Sequence, residues 1–288
     1  MKLEIYRTLW GTDATYAVTA KESREAGFDG LETRVPEATD LALELRSALE
    51  DCKLKLIAEI STAGSYSMPD RNATVDDHII SLERQLDISI KLDPEFINCM
   101  GGCDSWDDSQ NMEFFERCLE IENRYKITIS HETHRGRSLF NPWITLRMLE
   151  TFPELKLTCD FSHWCVVCER LLDKKDDSLE LIAKQVHHIH ARVGYAEGPQ
   201  VPHPAAPEYQ NELAAHQSWW QLIWEAQLKK GYTHTTLNPE FGLDGYLHTM
   251  PFTQIPVADL WEIQQWMVTE ERKQFSKFAK DNDSIHKI

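Results

Sequence analysis

Short apolar runs alternate with amphipathic stretches along the chain, and each run has the length of a buried β-strand. Eight runs are predicted as strands: Leu3–Tyr6, Gly30–Val35, Leu54–Ile60, Phe96–Met100, Ile127–His131, Leu155–Cys159, Val186–Ala191 and Thr235–Pro239. Eight amphipathic stretches are predicted as helices: Val18–Ala26, Ala38–Cys52, Val75–Lys91, Met112–Tyr125, Ile144–Thr151, Leu179–Gln185, Gln217–Lys230 and Val257–Phe278. Strands that alternate with helices pair in parallel through crossovers. A count of eight favours a closed (β/α)8 TIM barrel of the α/β class over an open sheet.

The domain organisation follows from the same alternation. The chain has 288 residues, and no low-complexity linker interrupts the pattern. We therefore predict a single barrel domain over residues 1–279 and a polar C-terminal tail over residues 280–288. The segment Gly194–His216 is rich in proline and glycine and is longer than a usual strand-to-helix connection. We expect it to form a lid or rim over the site.

The net charge of −17 repels polyanions, so we expect no nucleic-acid partner. The N-terminal MKLEIYRTLW has neither the apolar core nor the cleavage site of a signal peptide, and no run approaches a membrane span. The seven cysteines are an odd number without a repeating spacing, which fits reduced thiols. These features predict a cytoplasmic protein without a membrane partner.

Ionisable side chains stand where the last four predicted strands end. Glu132 follows strand five, Asp160 follows strand six, His190 lies in strand seven, and Glu240 follows strand eight. Active sites of (β/α)8 barrels lie at the carboxyl ends of the strands. We therefore expect these four side chains to meet at one rim.

Two glutamates, an aspartate and a neutral imidazole make a hard, mostly oxygen shell for a metal ion. Such a shell suits Mn²⁺, Mg²⁺ or Co²⁺, and Zn²⁺ also accepts these ligands. Without a cation, three neighbouring carboxylates would repel one another and raise one another's pKa. The sequence therefore predicts one divalent ion as the cofactor.

Four segments, HETHRG, DFSH, HIHAR and NPEFG, resemble in order and spacing the xylose isomerase-like TIM-barrel superfamily of sugar isomerases and epimerases. The resemblance spans nearly the whole chain. It implies that Glu132, Asp160, His190 and Glu240 hold the metal, and that the two glutamates move a substrate proton from opposite faces. It also implies that His163, three residues after the aspartate, binds substrate.

The resemblance points to further substrate-binding residues in the same segments. The epimerases place an arginine six positions after the strand-seven histidine, whereas Arg192 stands two positions after it here. His134 and Arg135 follow the strand-five glutamate directly and are further candidates. Arg135 and Arg137 form either a clamp for a carboxylate, phosphate or sugar oxygen, or a pair of ordinary surface cations.

Three other polar residues have a structural and a functional interpretation. His188 shares a strand face with His190, either as a hydrogen-bonded core residue or as part of the site. Glu32 and Glu59 end strands two and three, where a carboxylate either reaches the pocket or serves as a cap or salt-bridge partner.

The leading functional hypothesis is a metal-dependent isomerase or epimerase that moves a proton on a sugar or sugar-like hydroxy-ketone through an enediolate. A lyase that dehydrates a polyol or hydroxy acid would use the same carbanion chemistry. A phosphodiesterase like the AP endonucleases would need histidines at the ends of strands two and three, where the sequence reads TRVPE and EISTAGSY. A non-catalytic barrel that binds sugars is a fourth hypothesis. The expected partner is a small sugar-like molecule, and a homo-oligomeric state is left open.

Overall fold

Eight parallel strands form a closed barrel in the computed structural model, which describes residues 1–65, 68–243 and 245–285. The strands are β1 (Lys2–Thr8), β2 (Gly30–Thr33), β3 (Lys55–Ser61), β4 (Ile97–Met100), β5 (Ile129–Glu132), β6 (Lys156–Cys159), β7 (Val186–His190) and β8 (His234–Asn238). Each strand pairs in parallel with the next, and β8 pairs with β1 to close the barrel. The predicted (β/α)8 fold is confirmed.

Nine α-helices lie in the described part of the chain. They are α1 (Tyr16–Glu25), α2 (Thr39–Cys52), α3 (Val75–Ser89), α4 (Asp108–Tyr125), α5 (Pro142–Thr151), α6 (Phe161–Val167), α7 (Leu179–Ile182), α8 (Gln210–Lys229) and α9 (Leu260–Ile285). Thr74 and Asp107 close capping boxes at the starts of α3 and α4, and Gly231 follows α8 with a φ of +82°. None of the described helices is both long and apolar enough to cross a membrane.

The largest departures from the predicted elements are in three helices. The short helix α6 directly follows Asp160 and was not predicted, because seven residues are too few to show a helical period. Helix α8 begins at Gln210 rather than Gln217. Helix α9 reaches Ile285, and so includes the first part of the segment expected to be a polar tail. No glycine or proline interrupts the helix there.

The interior of the barrel changes character from one end to the other. Near the amino ends of the strands, Tyr6, Ile57 and Phe96 form a small apolar cluster, and the Phe96 ring lies 5.3 Å from the ring of His188. Towards the carboxyl ends the interior side chains are buried and polar. The main hydrophobic core lies between the barrel and the surrounding helices. The fold therefore directs polar chemistry to the mouth at the carboxyl ends.

Candidate metal centre and active site

The four predicted metal ligands meet at the mouth of the barrel. Glu132 ends β5, Asp160 caps α6 directly after β6, His190 ends β7, and Glu240 follows β8. One oxygen or nitrogen atom from each lies within 4.8 Å of the others, and all four residues are buried. The parallel barrel produces this grouping because the strands deliver their last residues to one rim.

Three of these side chains direct atoms without a hydrogen bond towards one another: Glu132 Oε1, His190 Nδ1 and Glu240 Oε2. His190 Nδ1 lies 3.0 Å from Glu240 Oε2 and 3.8 Å from Glu132 Oε1, within ion-pair range but not in hydrogen-bond geometry. Buried polar atoms nearly always have a partner, so a group of atoms that lack one needs a reason. A divalent cation fits them, since carboxylate oxygens and an imidazole nitrogen are suitable ligands.

The ionisation of the cluster shows the same crowding. Burial raises the pKa of Glu132 to about 8, and the charges of Glu240 and Asp160 add to it against the opposing effect of His190. Burial also raises the pKa of Asp160, although Arg192 opposes it. Burial would raise the pKa of Glu240, but His190 and Arg192 outweigh it and lower that pKa. A cation would relieve this mutual repulsion.

Glu32 lies one layer deeper in the barrel and orients His190. Its Oε1 is 2.9 Å from His190 Nε2, while its Oε2 is 2.9 Å from His188 Nε2 and accepts from Asn238 Nδ2 at 2.7 Å. An ionised carboxylate only accepts hydrogen bonds, so Nε2 of His190 carries the proton. Burial opposes protonation of His190, but Glu240, Glu32 and Glu132 raise its pKa, so without a cation Nδ1 also carries a proton. A bound cation would replace that proton, and Nδ1 would then present its lone pair to the ion, as in carboxylate–histidine–metal arrangements.

Asn98 is a member of the site that the sequence did not reveal. Its Nδ2 donates to Glu132 Oε2 at 3.0 Å, which leaves Oε1 as the oxygen that faces the cluster. The available signal was an asparagine inside the otherwise apolar β4. A buried polar side chain in a strand requires a partner inside the barrel.

Arg192 reaches the centre of the site and is 1% exposed. Its Nη2 contacts Asp160 Oδ2, lies 2.9 Å from His163 Nε2 and lies 3.2 Å from Glu240 Oε2. Arg192 and His163, both predicted to bind substrate, therefore lie beside the candidate metal ligands. Because Arg192 stands two residues after His190, and not six as in the epimerases, it contacts the candidate metal ligands.

The rings of His134 and His163 lie against each other at the mouth, with centroids 3.9 Å apart. His134 Nδ1 is 2.5 Å from the carbonyl oxygen of Arg135, so it donates and leaves Nε2 as an acceptor. His163 Nε2 faces Arg192, which has only donors, so Nδ1 of His163 carries a proton and has no partner. The pair therefore carries one acceptor, Nε2 of His134, and one donor without a partner, Nδ1 of His163.

The two candidate clamp arginines differ in the structure. Arg135 is half-buried, its guanidinium lies 4.9 Å from the centre of the Tyr246 ring, and no carboxylate of the described residues pairs with it. Arg137 is fully buried and donates to the backbone oxygens of Thr62 at 2.7 Å and Ser65 at 3.0 Å. Arg137 therefore joins two loops and is neither a clamp nor a surface cation. Tyr246 follows β8 in a loop and had no sequence signal.

The segment Gly194–His216 lies on the rim that carries the site. Gln200 exchanges hydrogen bonds with the backbone of Gly242 in the loop after β8, with distances of 2.9 and 3.1 Å. The Gly194 amide donates to His216 Nε2 at 3.2 Å. The segment is not one long loop, because its last part belongs to α8.

Comparisons with solved structures show the same fold at low identity. A 3-keto-D-glucoside 4-epimerase from E. coli has a TM-score of 0.58 at 11% identity, and the match covers 95% of this chain and 99% of that chain. A probable 3-DHS dehydratase involved in petrobactin synthesis from Bacillus anthracis gives 0.56 at 16%, covering 84% and 94%. A xylose isomerase-like TIM barrel protein from Mycobacterium smegmatis, in complex with magnesium, gives 0.55 at 17%, covering 84% and 91%.

These solved structures include an epimerase and a probable dehydratase, so the likeness shows the fold and leaves the reaction open. No curated protein matches the sequence. The family model described as xylose isomerase-like TIM barrel matches residues 20–200, more than half of the chain. The chain therefore belongs to the xylose isomerase-like TIM-barrel family.

Proposed function

We propose that this protein is a divalent-metal-dependent isomerase or epimerase that moves a proton on a sugar or sugar-like hydroxy-ketone. One observation carries the proposal: Glu132, His190 and Glu240 direct buried atoms without hydrogen bonds to a point beside Asp160. In this proposal Glu132, Asp160, His190 and Glu240 hold the ion. When bound, it supplies a Lewis acid that makes the C–H beside a substrate carbonyl more acidic.

The protein's own carboxylates move the proton. Glu132 and Glu240 come from β5 and β8, which are not adjacent in the barrel, and each has an oxygen without a hydrogen bond. Removal of a proton by one and return by the other would invert a carbon centre. Return by the same carboxylate at the neighbouring carbon would isomerise the sugar. Either outcome is general acid–base catalysis.

The histidine pair orients the substrate in this proposal. His134 Nε2 would accept a hydrogen bond from a hydroxyl group, and His163 Nδ1–H would donate one to a carbonyl or hydroxyl oxygen. Arg192 holds His163 in this tautomer at 2.9 Å. Arg135 and Tyr246 border the mouth, where a small sugar-like substrate would enter.

Dehydration of a polyol or hydroxy acid is the second candidate. In that reaction the partnerless Nδ1–H of His163 would donate to the departing β-oxygen instead of to an oxygen that the substrate keeps. The same proton removal by Glu132 or Glu240 would begin both reactions. A lyase product would be lighter than its substrate by one water, whereas an isomer or epimer keeps the mass of its substrate. Mass spectrometry of the product therefore separates the two reactions.

Incubation of the Mn²⁺-loaded protein with a panel of ketoses and keto-sugars in D₂O tests the proposal. We expect deuterium to enter carbon beside the carbonyl, and Glu240→Gln to slow that exchange at least roughly a hundredfold while the protein stays folded. Glu197→Gln is the matched control, since Glu197 is exposed in the loop after β7. Exchange at the full rate in Glu132→Gln and Glu240→Gln proteins that still hold metal would contradict the two-base mechanism.

A further inference from the structure

Arg192 is fixed at three points, and the first two do not involve the candidate metal ligands' side chains. Its Nε donates to Ser162 Oγ at 3.1 Å, and its Nη1 donates to the backbone oxygen of Glu240 at 3.1 Å. Ser162 lies in α6, and Glu240 follows β8. The guanidinium is therefore attached to two elements of the mouth and is almost fully buried.

The third point is the contact with the candidate metal ligands. Nη2 contacts Asp160 Oδ2 and lies 3.2 Å from Glu240 Oε2. The other oxygen of Asp160, Oδ1, accepts from the Ser162 amide at 3.0 Å and from the Ser162 hydroxyl at 2.5 Å. Two hydrogen bonds occupy both lone pairs of Oδ1, which leaves Oδ2 to offer an ion, and Arg192 already contacts that atom.

The hydrogen bonds of Arg192 leave little for a substrate. An arginine has five N–H donors, and Nε, Nη1 and Nη2 make four hydrogen bonds here, to Ser162, Glu240, Asp160 and His163. At most one N–H is left for a substrate oxygen. The substrate-binding role suggested by the sequence thus has a competing explanation in the structure.

The charges of the four candidate ligands would balance with an ion bound once Arg192 is counted. In that state the carboxylates of Glu132, Asp160 and Glu240 would carry three negative charges, so a divalent ion alone would leave one of these charges unbalanced. The guanidinium supplies the remaining positive charge, and an arginine in a protein does not lose its proton. The counter-charge is present whether or not an ion is bound.

We propose that Arg192 is a built-in counter-cation of the metal centre. It holds Asp160 and Glu240 in place before the ion arrives, and it lowers the affinity for the ion by sharing one oxygen of each. The inference rests on the metal centre of the proposed function. It concerns how tightly that centre binds its ion and requires no statement about the substrate.

Titration of Mn²⁺ against a chromophoric chelator, without substrate, tests the inference. Arg192→Gln removes the charge, and we expect it to tighten Mn²⁺ binding at least about tenfold. Arg192→Lys keeps a charge but loses the planar fork, so its Mn²⁺ affinity should lie between those of the wild type and Arg192→Gln. Arg135→Gln is the matched control, since Arg135 lies at the same mouth but contacts no oxygen of a candidate ligand. We expect its Mn²⁺ affinity to stay within about threefold of the wild type.

Thermal melting supplies a second readout that separates this role from simple packing. Without metal, Arg192→Gln should melt several degrees below the wild type, and saturating Mn²⁺ should raise its melting temperature more than that of the wild type. If the variant folds only with metal, its Mn²⁺ release into excess chelator should be slower than that of the wild type.

The outcomes distinguish the counter-cation role of Arg192 from the existence of the metal centre. Unchanged or weaker Mn²⁺ binding in Arg192→Gln, with normal binding in the wild type, overturns the counter-cation role and leaves the metal centre standing. Absence of Mn²⁺ binding in the wild type overturns the metal centre and this inference together.

Discussion

Two layers of carboxylates lie inside the same barrel and are paired in opposite ways. In the deeper layer, both oxygens of Glu32 contact donors on His188, His190 and Asn238. At the mouth, Glu132 and Glu240 each have a buried oxygen without a hydrogen bond. The hydrogen bonds of the deeper carboxylate are thus complete without any added group, whereas the mouth has the incomplete carboxylates on which the proposed metal centre rests.

A buried carboxylate outside both layers shows that a missing hydrogen-bond partner is not enough to indicate a metal centre. Glu271 in α9 is fully buried, its Oε1 accepts from Gln217 Nε2 at 3.0 Å, and its Oε2 has no hydrogen bond. It belongs to none of the candidate metal-holding groups among the described residues. The proposed metal centre therefore rests on several incomplete groups that converge at the mouth, and not on any single one of them.

The largest expected effect is at the mouth. Glu132→Gln should weaken Mn²⁺ binding at least roughly a hundredfold, more than loss of a residue that only orients a ligand. Without metal the same variant should be as stable as the wild type or more stable, because one of three crowded carboxylates is gone. Chelator competition and chemical denaturation measure both quantities. A destabilised variant with unchanged metal binding would show that Glu132 is structural.

Replacement of Glu32 in the deeper layer should lower stability without metal and weaken Mn²⁺ binding less than replacement of Glu132 does. Glu32→Gln replaces an acceptor by an amide that also presents donors to His188, His190 and Asn238, so stability without metal should fall by about 1–3 kcal/mol. Mn²⁺ binding should weaken by about 10–100-fold, because His190 loses its orientation. If Glu32→Gln lost as much Mn²⁺ affinity as Glu132→Gln, the two layers would not differ in their contribution to metal binding.

The isolated carboxylate should affect stability alone. Burial raises the pKa of Glu271 from 4.5 to about 8. Because the folded pKa of this acid exceeds the unfolded one, ionisation costs stability progressively as the pH rises from about 4.5 to 8. Glu271→Gln should therefore stabilise the protein by about 1–3 kcal/mol above pH 8 and by little at pH 4.5.

Denaturation curves across this pH range, with Glu270→Gln as the neighbouring control, check the prediction. Mn²⁺ affinity should be unchanged in Glu271→Gln. A stabilisation that does not depend on pH would show that the carboxylate is not the cause.

The sequence predicted the barrel and the four-residue cluster for one reason. Strand ends in a parallel barrel share a rim whatever the detailed register, so Glu132, Asp160, His190 and Glu240 could be grouped from strand order alone. The contact between Glu32 and His190 joins β2 and β7, which are not adjacent in the barrel. Its prediction would have required the tilt and stagger of the closed barrel.

The surroundings of the cluster were harder to predict because they depend on side-chain direction. Arg192 returns to Asp160 and Glu240 from a position two residues beyond His190, and only its rotamer decides whether it faces the substrate or the ligands. Arg135 and Arg137 are two residues apart, yet one lies at the mouth and the other is buried between loops. Sequence spacing alone did not separate these two environments.

Anomalous diffraction from crystals grown with Mn²⁺ shows directly whether an ion binds at the mouth of the barrel. We expect one strong peak per chain, about 2.0–2.3 Å from Glu132 Oε1, His190 Nδ1, Glu240 Oε2 and an oxygen of Asp160. The Glu32 layer should show no peak. Absence of a peak at the mouth in excess Mn²⁺, or a full peak between Glu32, His188 and His190 instead, would show that the mouth is not the metal centre.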